Sequence, residues 1–123
     1  MRRLIECISA ILNALRVKKE SVLVLNSRFI RDILRVLQQE GFITDFEVIN
    51  ARSISVKLKY YRRLPVIRSL KFISTGSHSV YTKASIGIPR NWTLRILSTN
   101  KGVMSHPEAV AVGIGGKVIM EVF

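Results

Sequence analysis

A chain of 123 residues has room for one compact unit or for two small lobes, and at that size folding hides roughly two thirds of the surface the open chain exposes. Hydrophobic residues make up 48% and charged residues 23%, which excludes a disordered segment, because disordered chains are poor in apolar surface. Lys plus Arg number 20 against 8 Asp plus Glu, a net charge of +12; such an excess repels itself in a compact body, calls for a polyanionic partner, and sets aside most small-metabolite enzymes.

Leu4, Ile5, Ile8, Ile11, Leu12 and Leu15 recur at helical spacing, so an amphipathic helix is expected over residues 3–16, with Cys7 at the edge of its apolar stripe. Val22 to Leu25 reads as a short buried strand. Phe29, Ile30, Ile33, Leu34 and Leu37 share the face of a second helix, capped by Asn26 or Ser27 and closed by Gly41, with Phe42 placed for the contact of a Schellman stop. A strand over 42–48 follows. Residues 53–60 then alternate: Ile54, Val56, Leu58 and Tyr60 on one side, Ser53, Ser55, Lys57 and Lys59 on the other, a half-buried strand with a basic row toward solvent.

Arg62, Arg63 and Pro65 mark a join. Short strands are expected beyond it at about 66–73, 78–83 and 93–97, in a pairing order that periodicity leaves open. Ser105-His106-Pro107-Glu108 has the form of a capping box, with a helix through Val112 that ends at Gly113, and 117–123 is a final strand. The expected fold is therefore α+β in two small lobes: residues 1–62 as helix, strand, helix, strand, strand, and residues 63–123 as a mainly β lobe with one short helix.

A single cysteine excludes an internal disulfide and a cysteine-based zinc site, and a reducing compartment is the default. The longest apolar runs, Val22 to Leu25 and Ala109 to Ile114, fall far short of the ~20 residues of a membrane span. Met1-Arg2-Arg3-Leu4-Ile5 has the opening of a presequence, but Glu6 and Asn13 interrupt it and no small-residue cleavage pattern follows, so none is expected.

Charge placement says more than the total. Between Glu47 and Glu108 there is no carboxylate, while Arg52, Lys57, Lys59, Arg62, Arg63, Arg68, Lys71, Lys83, Arg90, Arg95 and Lys101 fall in that interval. A surface that recruits phosphates fits this better than an idle solvated face, and without an amphipathic basic helix in this stretch a membrane partner is not expected. Catalytic motifs fail when tested. Ser98 and Lys101 match the S-x-x-K of acyl-serine enzymes, but the companion S-D-N and K-T-G elements are missing. Gly116-Lys117 is no phosphate loop, since Ala111 and Val118 stand where a Gly and a Ser or Thr are needed. His78 and His106 are far apart in sequence, and no Asp or Glu lies within the basic segment to orient either one, so an exposed polar role is expected for each. No enzyme activity, cofactor, metal or small-molecule substrate is expected.

Ser98-Thr99-Asn100-Lys101-Gly102 then reads as a loop between a strand and the capped helix. Its hydroxyl and amide groups suit base edges or a 2′-OH, Lys101 a phosphate, and Gly102 a close backbone approach, with Val103 and Met104 packed beneath. A second glycine turn, Gly113 to Gly116, is placed to share one side of the lobe with it.

At these residues the sequence resembles a known family. Ile96-Leu97-Ser98-Thr99-Asn100-Lys101-Gly102-Val103-Met104 is similar to the I-L-S-T-S-K-G-V-M segment of the S-eight family of bacterial-type small-subunit ribosomal proteins, and Glu108-Ala109 and Gly113-Ile114-Gly115-Gly116 continue its pattern. Val36-Leu37-Gln38-Gln39-Glu40-Gly41-Phe42-Ile43 resembles the family's V-L-x-x-E-G-F-I, Asn13-Ala14 the end of its first helix, and Pro65-Val66-Ile67-Arg68 the entry to its second lobe. The resemblance implies a two-lobed α+β protein that binds small-subunit ribosomal RNA directly, mainly through the C-terminal lobe, beside neighbouring ribosomal proteins. It implies RNA contact by Ser98, Thr99, Asn100 and Lys101, a surface shaped by Gly102, Gly115 and Gly116, and a contact at Tyr81. Arg28 and Arg31 fall at the family's basic second helix, and Lys57, Lys59, Arg62 and Arg63 complete the basic candidates.

This chain departs from the family at Asn100, which replaces a Ser, at Leu25, which replaces a Pro, and at Lys117, where a Glu is usual. An ammonium at 117 only donates hydrogen bonds, so phosphate contact is expected there in place of base readout. The divergence and the high hydrophobicity point to an organellar ribosome, a mitochondrial one ahead of a plastid or bacterial one. The rival readings are a free-standing RNA-binding protein or translational repressor, and an acyl-serine enzyme built on Ser98 and Lys101.

Overall fold

The computed structural model describes residues 2–72, 81–82 and 93–123. The chain divides into two compact units, Met1–Arg68 and Ser69–Phe123. The first runs α1 (Arg2–Arg16), β1 (Ser21–Leu25), α2 (Arg28–Gln39), β2 (Ile43–Val48), β3 (Ser53–Leu58), β4 (Tyr60–Tyr61) and β5 (Leu64–Pro65). Its antiparallel sheet has the order β1-β3-β2.

The stripe on α1 buries Leu4, Ile8, Ile11 and Leu15 together with Cys7 and Ala14, each large side chain contributing about 1.5–3 kcal/mol. Ile5, expected in that stripe, is 42% exposed, because the buried positions centre one step round the helix from it. Burial pushes the Cys7 thiol up to about 11, which leaves it a protonated packing group. Lys18 N–H donates to the Leu15 carbonyl at 3.2 Å and Lys19 N–H to that of Ala14 at 3.0 Å. Lys18 therefore occupies, at φ 58, the left-handed position of a Schellman stop where glycine is usual.

Ser27 caps α2, its Oγ accepting from Ile30 N–H at 3.2 Å. The stop is the expected one: Gly41 N–H reaches the Gln38 carbonyl at 3.1 Å and Phe42 N–H that of Leu37 at 2.8 Å. On β3, Ile54, Val56 and Leu58 are buried and Lys57 is exposed, as the alternation requires. The strand ends at Leu58, and Tyr60 opens β4 instead of extending it, with its Oη donating to the Lys19 carbonyl at 2.6 Å. β1 is not the buried strand its composition suggests. Val24 is buried, but Leu23 and Leu25 are 64% and 47% exposed, because β1 is a sheet edge with one packed face. Arg62 and Arg63 form the two-residue tip of the β4–β5 hairpin, with φ 52 and φ 68, a conformation that costs a non-glycine residue about 1–2 kcal/mol.

The second unit contains β6 (Leu70–Phe72), β7 (Tyr81–Thr82), β8 (Leu94–Thr99), β9 (Gly102–Ser105), α3 (His106–Val112) and β10 (Gly116–Val122). The sheet order is β6-β10-β8-β9, with β7 also paired to β10, all antiparallel. The last strand is thus central, the arrangement that strand periodicity left open. Leu97, Met104 and Val118 form a buried cluster with Ala109 of α3, and Ile114 packs against it.

Three expectations change here. The capping box places the helix start correctly, but Ser105 makes no side-chain cap bond; it is also the last residue of β9, opposite Ile96, and the strand pleat directs its side chain. His106 is half-buried, not exposed, and its Nδ1 accepts Arg95 N–H at 3.0 Å. Arg95, one of the cations of the carboxylate-free interval, meets Glu121 directly across β8 and β10, Nε to Oε1 2.9 Å. Of the expected strand at 78–83, Tyr81 and Thr82 are described; His78, Lys83, Arg90, Asn91 and Trp92 lie outside the described residues.

Candidate nucleic-acid interface

The stretch from Ser98 to Gly102 is the tip of a hairpin, not a loop leading to a helix. Thr99 pairs with Gly102 and Ser98 with Val103, leaving Asn100 and Lys101 as the turn. The two turn residues are outside the positive-φ region, and Gly102, at φ 107, takes the dihedral that a side chain would resist. Thr99 locks the turn: its Oγ1 donates to the Gly102 carbonyl at 2.8 Å and accepts Lys101 N–H at 3.1 Å. A hydroxyl has one proton and two lone pairs, so Thr99 has no proton left to offer a ligand. Met104, expected beneath a loop, is buried as a strand residue of β9, and Val103 is half-buried.

The glycine turn reaches the same place. Gly116 begins β10, and a Cβ there would stand 2.4 Å from the Ser98 carbonyl oxygen and 2.9 Å from Thr99 Cγ2. Only glycine lets β10 approach the end of β8 that closely. The register then sets Tyr81, Lys117 and Ser98 in one row across β7, β10 and β8, neighbouring strands being about 4.8 Å apart. Directly opposed residues share a face, so the half-buried Lys117 and Ser98 stand together, with Asn100 and Lys101 exposed just beyond them. Gly115 is exposed between the α3 stop and β10.

The other candidates lie in the first unit and do not form one cluster. Arg28, exposed, opens α2, and Arg31 is half-buried one turn on. Lys57 faces a hollow of about 270 Å³ shared with Glu20, Asp45 and Glu47. Those carboxylates repel phosphate, which makes Lys57 the weakest of the basic candidates. Lys59, Arg62 and Arg63 are exposed on or beside the β4–β5 hairpin.

Sequence reasoning missed the internal duty of Thr99, because a hydroxyl that bonds its own turn reads the same as one that bonds a ligand. It also missed Tyr61, 67% exposed, with the Arg62 guanidinium 5.3 Å from its ring centre. Serine and lysine three apart become neighbours on a helix; Ser98 and Lys101 lie on a strand and a turn, so the helical adjacency an S-x-x-K pair uses is missing. Among the described residues no group of three or more His, Cys, Asp and Glu side chains is placed to hold a metal ion, and no helix is long and apolar enough to cross a membrane.

A basic two-lobed α+β protein, with a preformed polar hairpin at the end of its C-terminal sheet and a row of amine and hydroxyl beside it, is of the kind that docks on folded polyanions. The family model described as Ribosomal protein S8 matches residues 3–123. A small ribosomal subunit protein uS8 of Legionella pneumophila (strain Lens) is 39% identical, over 95% of this chain and 93% of its own. Those of Marinomonas sp. (strain MWYL1) and Paramagnetospirillum magneticum (strain ATCC 700264 / AMB-1) are 38% and 34% identical, each over at least 94% of both chains. The chain belongs to the ribosomal protein S8 family.

Proposed function

We propose that this protein is a structural constituent of the small ribosomal subunit that binds the subunit's RNA directly. The observation that carries the reading is the convergence of Gly116 on the β8–β9 tip, which sets Tyr81, Lys117 and Ser98 in one row beside the exposed Asn100 and Lys101. In this reading the C-terminal unit, Ser69–Phe123, is the main RNA-binding part. The carboxylate-poor segment captures phosphates, Lys101 and Lys117 fix position, and the Ser98 hydroxyl and Asn100 amide read an irregular RNA helix. Thr99 and Gly102 hold the tip in shape, with Gly115 at the exposed end of the glycine turn. Arg28 and Arg31 add backbone contacts, Lys59, Arg62 and Arg63 belong to a second basic region, and Lys57 has the least part because of its acidic neighbours. The chemistry is recognition and charge neutralisation, with no catalytic step and no small-molecule substrate. Neighbouring ribosomal proteins complete the environment. The ribosome is placed in a mitochondrion on the strength of the chain's hydrophobicity and its departures at Leu25, Asn100 and Lys117; the relatives named above are bacterial.

The test is a filter-binding titration against small-subunit RNA over a range of salt. Lys101→Ala is expected to flatten the salt dependence by a slope of about 0.7–0.9, the release from one phosphate. Ser98→Ala is expected to erode preference for the cognate RNA over a scrambled helix, with the slope kept. Unchanged slope and unchanged preference together would overturn the assignment.

A further inference from the structure

We infer that the β4–β5 hairpin is a second RNA contact, which holds an unstacked nucleotide against Tyr61; this rests on the reading of the chain as a ribosomal RNA binder. The starting point is a turn built from the wrong residues. A two-residue hairpin turn with positive φ at both central positions matches the twist of its strands, and Asn-Gly is the sequence that adopts it readily. Here both positions are arginine, at φ 52 and φ 68. Strain of that kind persists where the side chains serve a purpose the backbone does not, and what this turn gains is two guanidinium groups at its tip.

The surroundings specify the ligand. Tyr61 and Leu64 are 67% and 66% exposed, too open to be serving the core. The Arg62 guanidinium carbon lies 5.3 Å from the Tyr61 ring centre, so cation and aromatic face form one recognition unit. Beside them is a hollow of about 430 Å³ lined by Lys59, Tyr61, Leu64, Pro65, Val66 and Arg68. Its lining combines Tyr61, Leu64, Pro65 and Val66 with the cations Lys59 and Arg68 and contains no carboxylate. Arg63 shares a separate hollow with Lys18, Glu20 and Tyr60, so Lys59 and Arg68 are the cations of this hollow, with Arg62 beside it at the Tyr61 ring. An aromatic face ringed by cations suits a base with its phosphates: every base has a face to stack, and the rim neutralises the backbone on either side of it. A basic polypeptide is repelled by the same rim.

The experiment uses the full chain and a transcript of small-subunit RNA, with affinity, salt slope and thermal midpoint measured for each variant. Tyr61→Ala is expected to bind about tenfold more weakly, and Tyr61→Phe, which keeps the ring, to bind like the parent chain. The double change Arg62→Asn with Arg63→Gly is expected to melt at a higher temperature and yet bind more weakly, with a flatter salt slope. Opposite signs in stability and affinity are what a purely structural hairpin would not give. If the parent binds, Lys101→Ala weakens it and the hairpin variants bind like the parent, the hairpin is no RNA contact and the inference alone falls. If the parent ignores the RNA, the underlying reading falls with it. Photo-crosslinking from position 61 in the intact subunit to an acidic protein, in place of RNA, also overturns the inference.

Discussion

Two hairpins of this protein have the same outline and opposite internal economies. At β8–β9 the turn residues Asn100 and Lys101 avoid positive φ, Gly102 takes it at φ 107, and the Thr99 hydroxyl ties the turn with bonds of 2.8 and 3.1 Å. At β4–β5 the positive dihedrals fall on Arg62 and Arg63, and an exposed tyrosine stands beside them. The first tip is relaxed and preformed, so a ligand meets a surface whose ordering entropy is already lost. The second places more charge at its end, at a conformational cost of about 1–2 kcal/mol per arginine. The first tip is shaped by a glycine and a hydroxyl without strain, and the second concentrates charge by accepting strain.

The strongest way to break this contrast is at Gly116. Gly116→Ala sets a Cβ 2.4 Å from the Ser98 carbonyl oxygen, a backbone atom that does not move without its strand. A loss of about 2–4 kcal/mol is expected, seen in urea unfolding, with RNA binding lost as β10 and β8 separate. Gly102→Ala is the comparator. A Cβ there has nothing within 4 Å, but φ is 107, so it is expected to lose only about 1–2 kcal/mol through strain. Equal effects would mean that close approach at Gly116 is not what shapes the tip.

How much of this the sequence disclosed depends on where each determinant lies. α1, α2 and β3 were legible because their signals are local: an apolar face at helical spacing, a Ser27 cap and Gly41 stop, and an alternation that burial follows at Ile54, Val56 and Leu58. β1 departs from its expected burial, because a four-residue apolar run does not distinguish a central strand from a one-sided edge. The β8–β9 hairpin looks like a loop in sequence because its turn is set by a side chain and by a glycine on another strand, neither visible as a period. Arg62-Arg63 gave no turn signal, since the residues the turn prefers are not there. The residue types of the candidate site were legible from a motif; the division of labour between Ser98 and Thr99 was not, because it depends on which atoms each hydroxyl meets.

That division is tested by Thr99→Val, which keeps shape and branching and removes both internal bonds. A loss of about 1–2 kcal/mol is expected, in line with one or two modest hydrogen bonds, together with faster amide exchange at Lys101. RNA preference is expected to weaken less than with Ser98→Ala, since the Thr99 hydroxyl is engaged within the turn and the proposed reading hydroxyl is that of Ser98. The reverse order would make Thr99 the reading hydroxyl and the turn bonds incidental.

The smallest effect separates strain that serves a ligand from strain that does not. Lys18 is the third non-glycine residue at positive φ among the described residues, at the Schellman stop of α1. Lys18→Gly relieves that conformation and is expected to add up to about 1 kcal/mol, raising the thermal midpoint by a few degrees with RNA affinity nearly unchanged. The Arg62→Asn, Arg63→Gly chain is expected to gain stability by the same backbone mechanism but to lose affinity. Lys18→Gly removes one cation and the arginine pair two, so the affinity losses are compared per cation removed; what differs beyond charge is the exposed aromatic ring next to Arg62. An affinity loss per cation at Lys18 as large as that at the arginine pair would mean that bulk charge governs binding and that neither turn is a specific contact.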